Sequence, residues 1–544
     1  MTSLSAVNAR LGKAGASHLL RRATFGPGSN DIEKFARLTP AQAVNELMRM
    51  QPDMPPPLDL KTSRPWLPAR SSQNSPESRL RFHMIQSWLH HMCSSPLSLS
   101  ERMVYFYHTH FTTMHSRVNY GSGVYYQNVL FRHYALGNFK ELAYKICYEQ
   151  AMLMNLDGRY NRRENPNENF AREFLELYSI GKGDQKGPGD YTTYTEDDIK
   201  QATRILSGFQ IDESFSAEKD RETGIPMGVM PAYPNGEPTL HDFGSKTFSE
   251  KFGRRTITPE GRTRQAVLDE IREFVNMVFD QEATARHICR KLYRFFVFYR
   301  ITPEVERNVI EPLARTFIKN NYEVRPVLKE LLCSKHFYDA EGKADKLRVQ
   351  GAIIKSPLEM LTQAVRYFDA WLPEPGDVEN FYFIYSLLFS RMQQQGMELY
   401  EPPEVAGYPA YHQAPYFQRN WISSSTLMYR QQIMANLVEG IFTSNKQQSV
   451  CLDVLKYVER SGKVADPGDA RLIVERLTED LLARPVRQNV FDYLLHEVLM
   501  DNLSFENWRM EWKLYQQSGK DYAVRKQLEK LLISIVQLPE YQLY

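Results

Sequence analysis

Residues 164–181, ENPNENFAREFLELYSIG, set Glu168, Arg172 and Glu176 four residues apart, with Asn167, Asn169 and Glu173 among them. On a helix this spacing gathers Glu168, Asn169, Arg172, Glu173 and Glu176 on one face and Phe170, Ala171, Phe174, Leu175, Leu177 and Tyr178 on the other. A solvated face would be a simple i,i+4 charge ladder. Three carboxylates, an arginine and an asparagine without any lysine suit a hydrogen-bonded network better. Carboxylates crowded around one guanidinium have their pKa values pushed apart, so one keeps a proton while its neighbour is charged, as acid–base catalysis requires.

A second chemical stretch is YFYHTHFTTMH, with His108 and His110. On a helix, side chains two apart diverge by roughly 200°, so both rings ligate one ion only if the helix ends there. The bland alternative is one imidazole in the core and the other orienting a neighbour. His241-Asp242 in HDFGSKTF sets an imidazole beside a carboxylate on an irregular segment, where functional residues concentrate.

The elements that must position these groups are mainly helical. Helical periodicity and caps dominate, and strand-like alternation is scarce. The polar helix is expected over 166–180, with Asn165 as N-cap, Pro166 in the first turn, Glu168 closing a capping box and Gly181 as the left-handed stop. Ser98 with Glu101 predicts a capping box for the histidine helix. Thr195 with Asp198 predicts another, leading Ile199, Ala202, Leu206 and Phe209 down one face.

The chain divides into an N-terminal helical segment with a Pro-rich linker (1–70), a helical core with the site (71–209) and an irregular insertion with a small hairpin (210–262). A helical region (263–400), an aromatic and proline-rich loop (401–420) and a C-terminal helical region (421–544) follow. Within these, helices are expected at 283–298, 303–320, 324–333, 346–370 and 377–394, among others.

Hydrophobic residues at 42%, charged residues at 24% and a net charge of +2 describe a globular protein without the dense basic surface of a nucleic-acid binder. Five scattered cysteines suggest neither a disulfide framework nor a metal clip. The first twenty residues lack a secretory apolar core, and no later stretch is an apolar span, so the expectation is a cytoplasmic chain without a membrane span. P-loop, GxGxxG, HExxH and GxSxG patterns are absent, which disfavours nucleotide-driven, dinucleotide, zincin and serine-hydrolase chemistry.

HLLRRATFGP (18–27), ERMVYFYHTHF (101–111), NPNENFAREFLELYSIG (165–181), YTEDDIKQATRILSGF (194–209), HDFGSKTF (241–248), YEPPEVAGY (400–408) and PEYQL (539–543) together resemble the bacterial family known as domain of unknown function eighteen hundred. The resemblance spans nearly the whole chain, and NENFARE is its most specific element. It implies functional weight for His108, His110, Asn167, Glu168, Asn169, Arg172, Glu173 and Glu176, but no settled reaction. It also implies a sulfatase- or phosphatase-like companion exported by the twin-arginine route. Without a signal of its own, this chain is then cytoplasmic, or periplasmic if a signal-bearing partner carries it.

Three functions fit these residues. One is an acid–base enzyme, a glycan-active hydrolase or lyase, with Glu168, Glu176, His108, His110 and Arg172 as catalytic groups and Asn167, Asn169, Glu173, His241 and Asp242 holding substrate. The second adds a divalent metal, iron, manganese or zinc, on His108, Glu168 and Glu176. The third is a non-catalytic partner or carrier of the exported companion.

Overall fold

The computed structural model describes residues 4–49, 53–67, 73–340, 349–460 and 462–544. Pro52 and Pro68 of the Pro-rich stretch, and residues 346–348 of the expected 346–370 helix, lie outside them. The protein is mainly α, with only short two-stranded sheets among the described residues.

Local signals set many elements. Thr39 and Gln42 close a reciprocal capping box that starts Pro40–Leu47, separating it from Asp31–Ala36. Thr195 and Asp198 do the same for Glu196–Ile205, and Asp198 is further tied to Ser249 by two bonds of 2.7 Å. The insertion carries its hairpin, Lys246–Thr247 against Thr256–Ile257. Two further small hairpins, Gln185–Gly187 with Asp190–Tyr191 and Ile441–Phe442 with Ser449–Val450, are too short for alternation to announce them.

Other expectations are corrected. Ser98 caps the helix Leu99–His110, but Glu101 does not close the box. Its carboxylate turns inward to Trp88 Nε1 at 2.8 Å and to Arg132. The polar helix starts at Asn169 rather than 166, because Asn165 bridges back to Arg162 and Asn167 Oδ1 accepts the Asn169 N–H at 3.0 Å. It then widens into a π-turn, Phe174–Tyr178. The extra residue shifts the apolar face: Phe170, Ala171, Phe174, Leu175 and Tyr178 are buried, whereas Leu177 is only partly buried.

The core around this segment is aromatic. Phe174 meets Phe274 of Arg264–Phe279 at 5.4 Å, and His110 sits among Phe106, Phe111, Phe139 and Tyr178. The histidine helix therefore packs its last turn against the end of the polar helix.

Candidate functional site

The π-turn decides what the end of the polar helix presents. Its closing bonds run from Gly181 N–H to the Leu175 carbonyl at 2.9 Å and from Ser179 Oγ to the Phe174 carbonyl at 2.6 Å. The carbonyls of Leu177 and Tyr178 are left to outside partners, as at any helix C-terminus. Gly181 holds φ +77°, the expected left-handed stop, and a Cβ there would lie 2.5 Å from His287 Nδ1. Glycine is needed twice over, for the turn and for the imidazole.

Those outside partners are basic. His110 Nε2 lies 3.1 Å from the Tyr178 carbonyl, and His287 Nε2 lies 3.3 Å from that of Leu177, which also accepts from Lys291 Nζ at 2.8 Å. A carbonyl only accepts, so Nε2 of each ring carries the proton and Nδ1 is a bare acceptor. Lys291 Nζ, 3.2 Å from His110 Nδ1, is thus the donor of that bond. Burial, then Lys291 and His287, hold the His110 pKa far below the ordinary imidazole value. Burial, with Lys291 next, brings His287 down to about 3. Lys291 itself, half-buried, is brought down to about 7 by burial and by Arg294.

The carboxylate face is half-buried and tightly paired. Arg172 grips Glu196 with two bonds of 2.9 and 2.7 Å and reaches Glu168 at 3.3 Å. Glu176 accepts from Lys182 at 3.3 Å and from the Tyr194 hydroxyl at 3.1 Å. The ladder read from the sequence is thus half real: Glu168 pairs with Arg172, and Glu176 turns to Lys182. The side chain of Glu168 is 42% exposed and that of Glu176 is 25% exposed. Glu173 differs from both. It is half-buried, has no hydrogen-bond partner among the described residues, and its pKa is raised by burial and by the neighbouring charge of Glu176. Asn167 and Asn169 shape the entry to the helix, Asn167 through its turn and Asn169 through Nδ2 to the Leu156 carbonyl at 3.2 Å.

His108 and His110 point to different places. His108 is completely buried in an aromatic box of Trp88, Tyr400 and Tyr408, with Nε2 3.4 Å from both the Tyr408 hydroxyl and the Tyr400 backbone N–H. Burial alone brings it to about 3, a neutral core ring. The segment 101–113 meets the polar helix through His110 and a backbone carbonyl rather than through a carboxylate. His108, Glu168 and Glu176 are not gathered, and among the described residues no three His, Cys, Asp or Glu side chains are placed to share a metal ion.

His241 is also fully buried, with Nδ1 2.9 Å from the Ser207 carbonyl and Nε2 2.9 Å from Glu270. Asp242 is held by Arg204 through bonds of 2.8 and 3.2 Å. Both residues hold the hairpin in place and are committed to these partners. Glu149, pushed up to about 7 by burial, has a structural explanation too: it caps Gln150–Asn155, accepting the N–H groups of Ala151 and Met152 at 2.8 Å.

Sequence reasoning missed Lys291, His287 and Arg294. A signal was present: on the helix Glu282–Phe296 they stand at i, i+4 and i+7, one stripe of basic side chains. Glu173, read from the sequence as a substrate-holding residue, is a carboxyl whose proton is favoured by burial and by the charge of Glu176.

The two cavities described lie elsewhere. One of about 460 Å³ is lined by His18, Arg21, Asp480 and Tyr544 among others, and one of about 840 Å³ by Phe82, His83, Tyr382 and Phe389 among others. Neither is lined by a residue of the 168–178 segment. Among the described residues, no helix is long and apolar enough to cross a membrane. No curated protein and no solved structure matches the chain. The family model described as "Protein of unknown function (DUF1800)" matches residues 18–543, and the chain belongs to that family.

Proposed function

We propose that the protein is an acid–base enzyme, a glycan-active hydrolase or lyase, built on the polar face of the 169–178 helix. The observation that carries this reading is the contrast between Glu173 and Glu176. Three residues apart on one helix, Glu176 is engaged as an acceptor by Lys182 and Tyr194. Glu173 has no hydrogen-bond partner among the described residues, and its proton is favoured by burial and by Glu176. Such a pair divides the labour: Glu173 gives a proton to a leaving oxygen, and Glu176 takes one from water or from a substrate carbon. Arg172, anchored on Glu168 and Glu196, positions the face. Tyr191, half-buried beside Glu196 and under Lys182, offers a ring to a sugar. A sulfatase- or phosphatase-like companion rests on the family likeness alone.

The test is the release of reducing ends, or of the ultraviolet-absorbing unsaturated ends a lyase leaves, from a panel of oligosaccharides. The wild-type protein should release them, and Glu173→Gln and Glu176→Gln should each lower the rate by about 10²-fold or more while circular dichroism stays unchanged. A wild type inert on the panel, or variants as active as the wild type, would defeat the reading.

A further inference from the structure

The helix Glu282–Phe296 carries more cations than its neighbours neutralise, and the surplus lies on one side. Away from the polar helix the charges are matched: Arg286 pairs with Glu282 at 2.8 Å and Glu311 at 3.2 Å, and Arg290 holds Glu306 with bonds of 2.9 and 2.6 Å. On the stripe of His287, Lys291 and Arg294 the matching stops. Among the described residues neither hydrogen-bond partner of Lys291 is acidic, one being the Leu177 carbonyl and the other His110 Nδ1. Arg294 offers Nε to the Tyr299 carbonyl at 3.4 Å and lays its guanidinium 5.0 Å from the Phe417 ring centroid, with no ion pair among the described residues.

The opposite wall comes from the aromatic loop. Its short helix Pro409–His412 packs against Glu282–Phe296, close enough for the Lys291 charge to lower the pKa of His412 after burial has done so. Arg419, exposed, lies over Tyr299 at 5.2 Å and Tyr416 at 5.6 Å. The groups facing Lys291 are thus His110, His287, Arg294 and His412; the carboxylates that act on the stripe are Glu306, which is paired with Arg290 and whose charge partly offsets the lowering of Arg294 by burial and Arg290, and Glu404, 3.7 Å from His412.

The helix C-terminus explains part of this arrangement, since its carbonyls draw cations. It uses one N–H of Lys291 and the Nε2–H groups of His110 and His287; a second Lys291 N–H goes to His110 Nδ1, and the third, with the two terminal nitrogens of Arg294, has no hydrogen-bond acceptor among the described residues. We infer that this stripe is a binding site for a phosphate- or sulfate-type oxyanion, with Lys291 and Arg294 as its ligands and His412 and Arg419 at its rim. A bound dianion supplies the missing counter-charge, returns the proton that burial and Arg294 disfavour on Lys291, and accepts the planar fork of Arg294 through two oxygens. The inference does not rest on the carboxylate pair.

Calorimetric titration of the full chain with inorganic phosphate and with inorganic sulfate tests it. Both anions should bind at pH 6.5, and Lys291→Met or Arg294→Met should each weaken binding at least tenfold in protein with wild-type circular dichroism. Lys291→Arg should retain it. Sulfate keeps its charge between pH 6.5 and 8, so its weaker binding at pH 8 reports the protein's own loss of protons. Absence of binding heat with either anion, or methionine variants that bind as the wild type does, would overturn the proposal.

Discussion

Beneath the hairpin of residues 246–257, Glu270 is buried and both its oxygens are taken, one by His241 Nε2 at 2.9 Å and the other by Lys246 Nζ at 2.5 Å. On the 169–178 helix, Glu173 has no hydrogen-bond partner among the described residues, and at the helix end Lys291 faces imidazole and carbonyl, with no carboxylate partner among those residues. Both regions are built from glutamate, lysine and histidine. In the first, each charge removed from water meets an opposite charge, which makes burial tolerable and fixes a unique geometry. In the second, the charges are only half withdrawn and left mismatched, so their proton affinities move toward neutrality and they stay available to another molecule.

Other closed networks repeat the first pattern. Glu101 is buried, which would raise its pKa, yet Arg132 and His91 bring it down to about 2. Arg102, Glu359 and Tyr544 form another knot, with the Tyr544 hydroxyl donating to Glu359 at 2.5 Å. These hold distant parts of the chain together.

The comparison breaks most visibly at Glu270. Glu270→Ala strands Lys246 and His241 in the core, and urea unfolding should show a loss of about 3–5 kcal/mol. A loss under about 1 kcal/mol would mean that the closed network is not structural.

At Lys291 the consequence appears as pH dependence. Its folded pKa of about 7 lies below its unfolded value, so between pH 7 and roughly 10.4 the unfolded chain binds more protons and stability rises with pH. The contribution is complete above the unfolded pKa and is lost as pH falls through 7. Lys291→Met should abolish this rise, so the stability difference, wild type minus variant, grows from pH 7 to 10. A flat difference would show that the lysine is an ordinary surface amine.

The smallest effect belongs to Arg172. Its ion pair with Glu196 is about one-third exposed on both sides, so Arg172→Lys should cost under about 1 kcal/mol in thermal or urea unfolding. Oligosaccharide cleavage should fall more than stability does, because an ammonium cannot reproduce the two-pronged grip on Glu196.

What the sequence determined is what neighbouring residues settle among themselves. The Thr195–Asp198 box, the break at Thr39-Pro40 and the stop at Gly181 are hydrogen bonds or backbone preferences spanning a few residues, and each is where the sequence places it. The helical class follows from the same local signals, and the separation of the two faces at 168–178 from periodicity. Only the tertiary structure decided the rest. The π-turn at Phe174–Tyr178 leaves carbonyls that His110, 68 residues away, and His287 and Lys291, over a hundred residues away, satisfy. No local pattern records such partners. Whether a glutamate or lysine is matched depends likewise on which distant charge the fold brings beside it, and that separates Glu270 from Glu173.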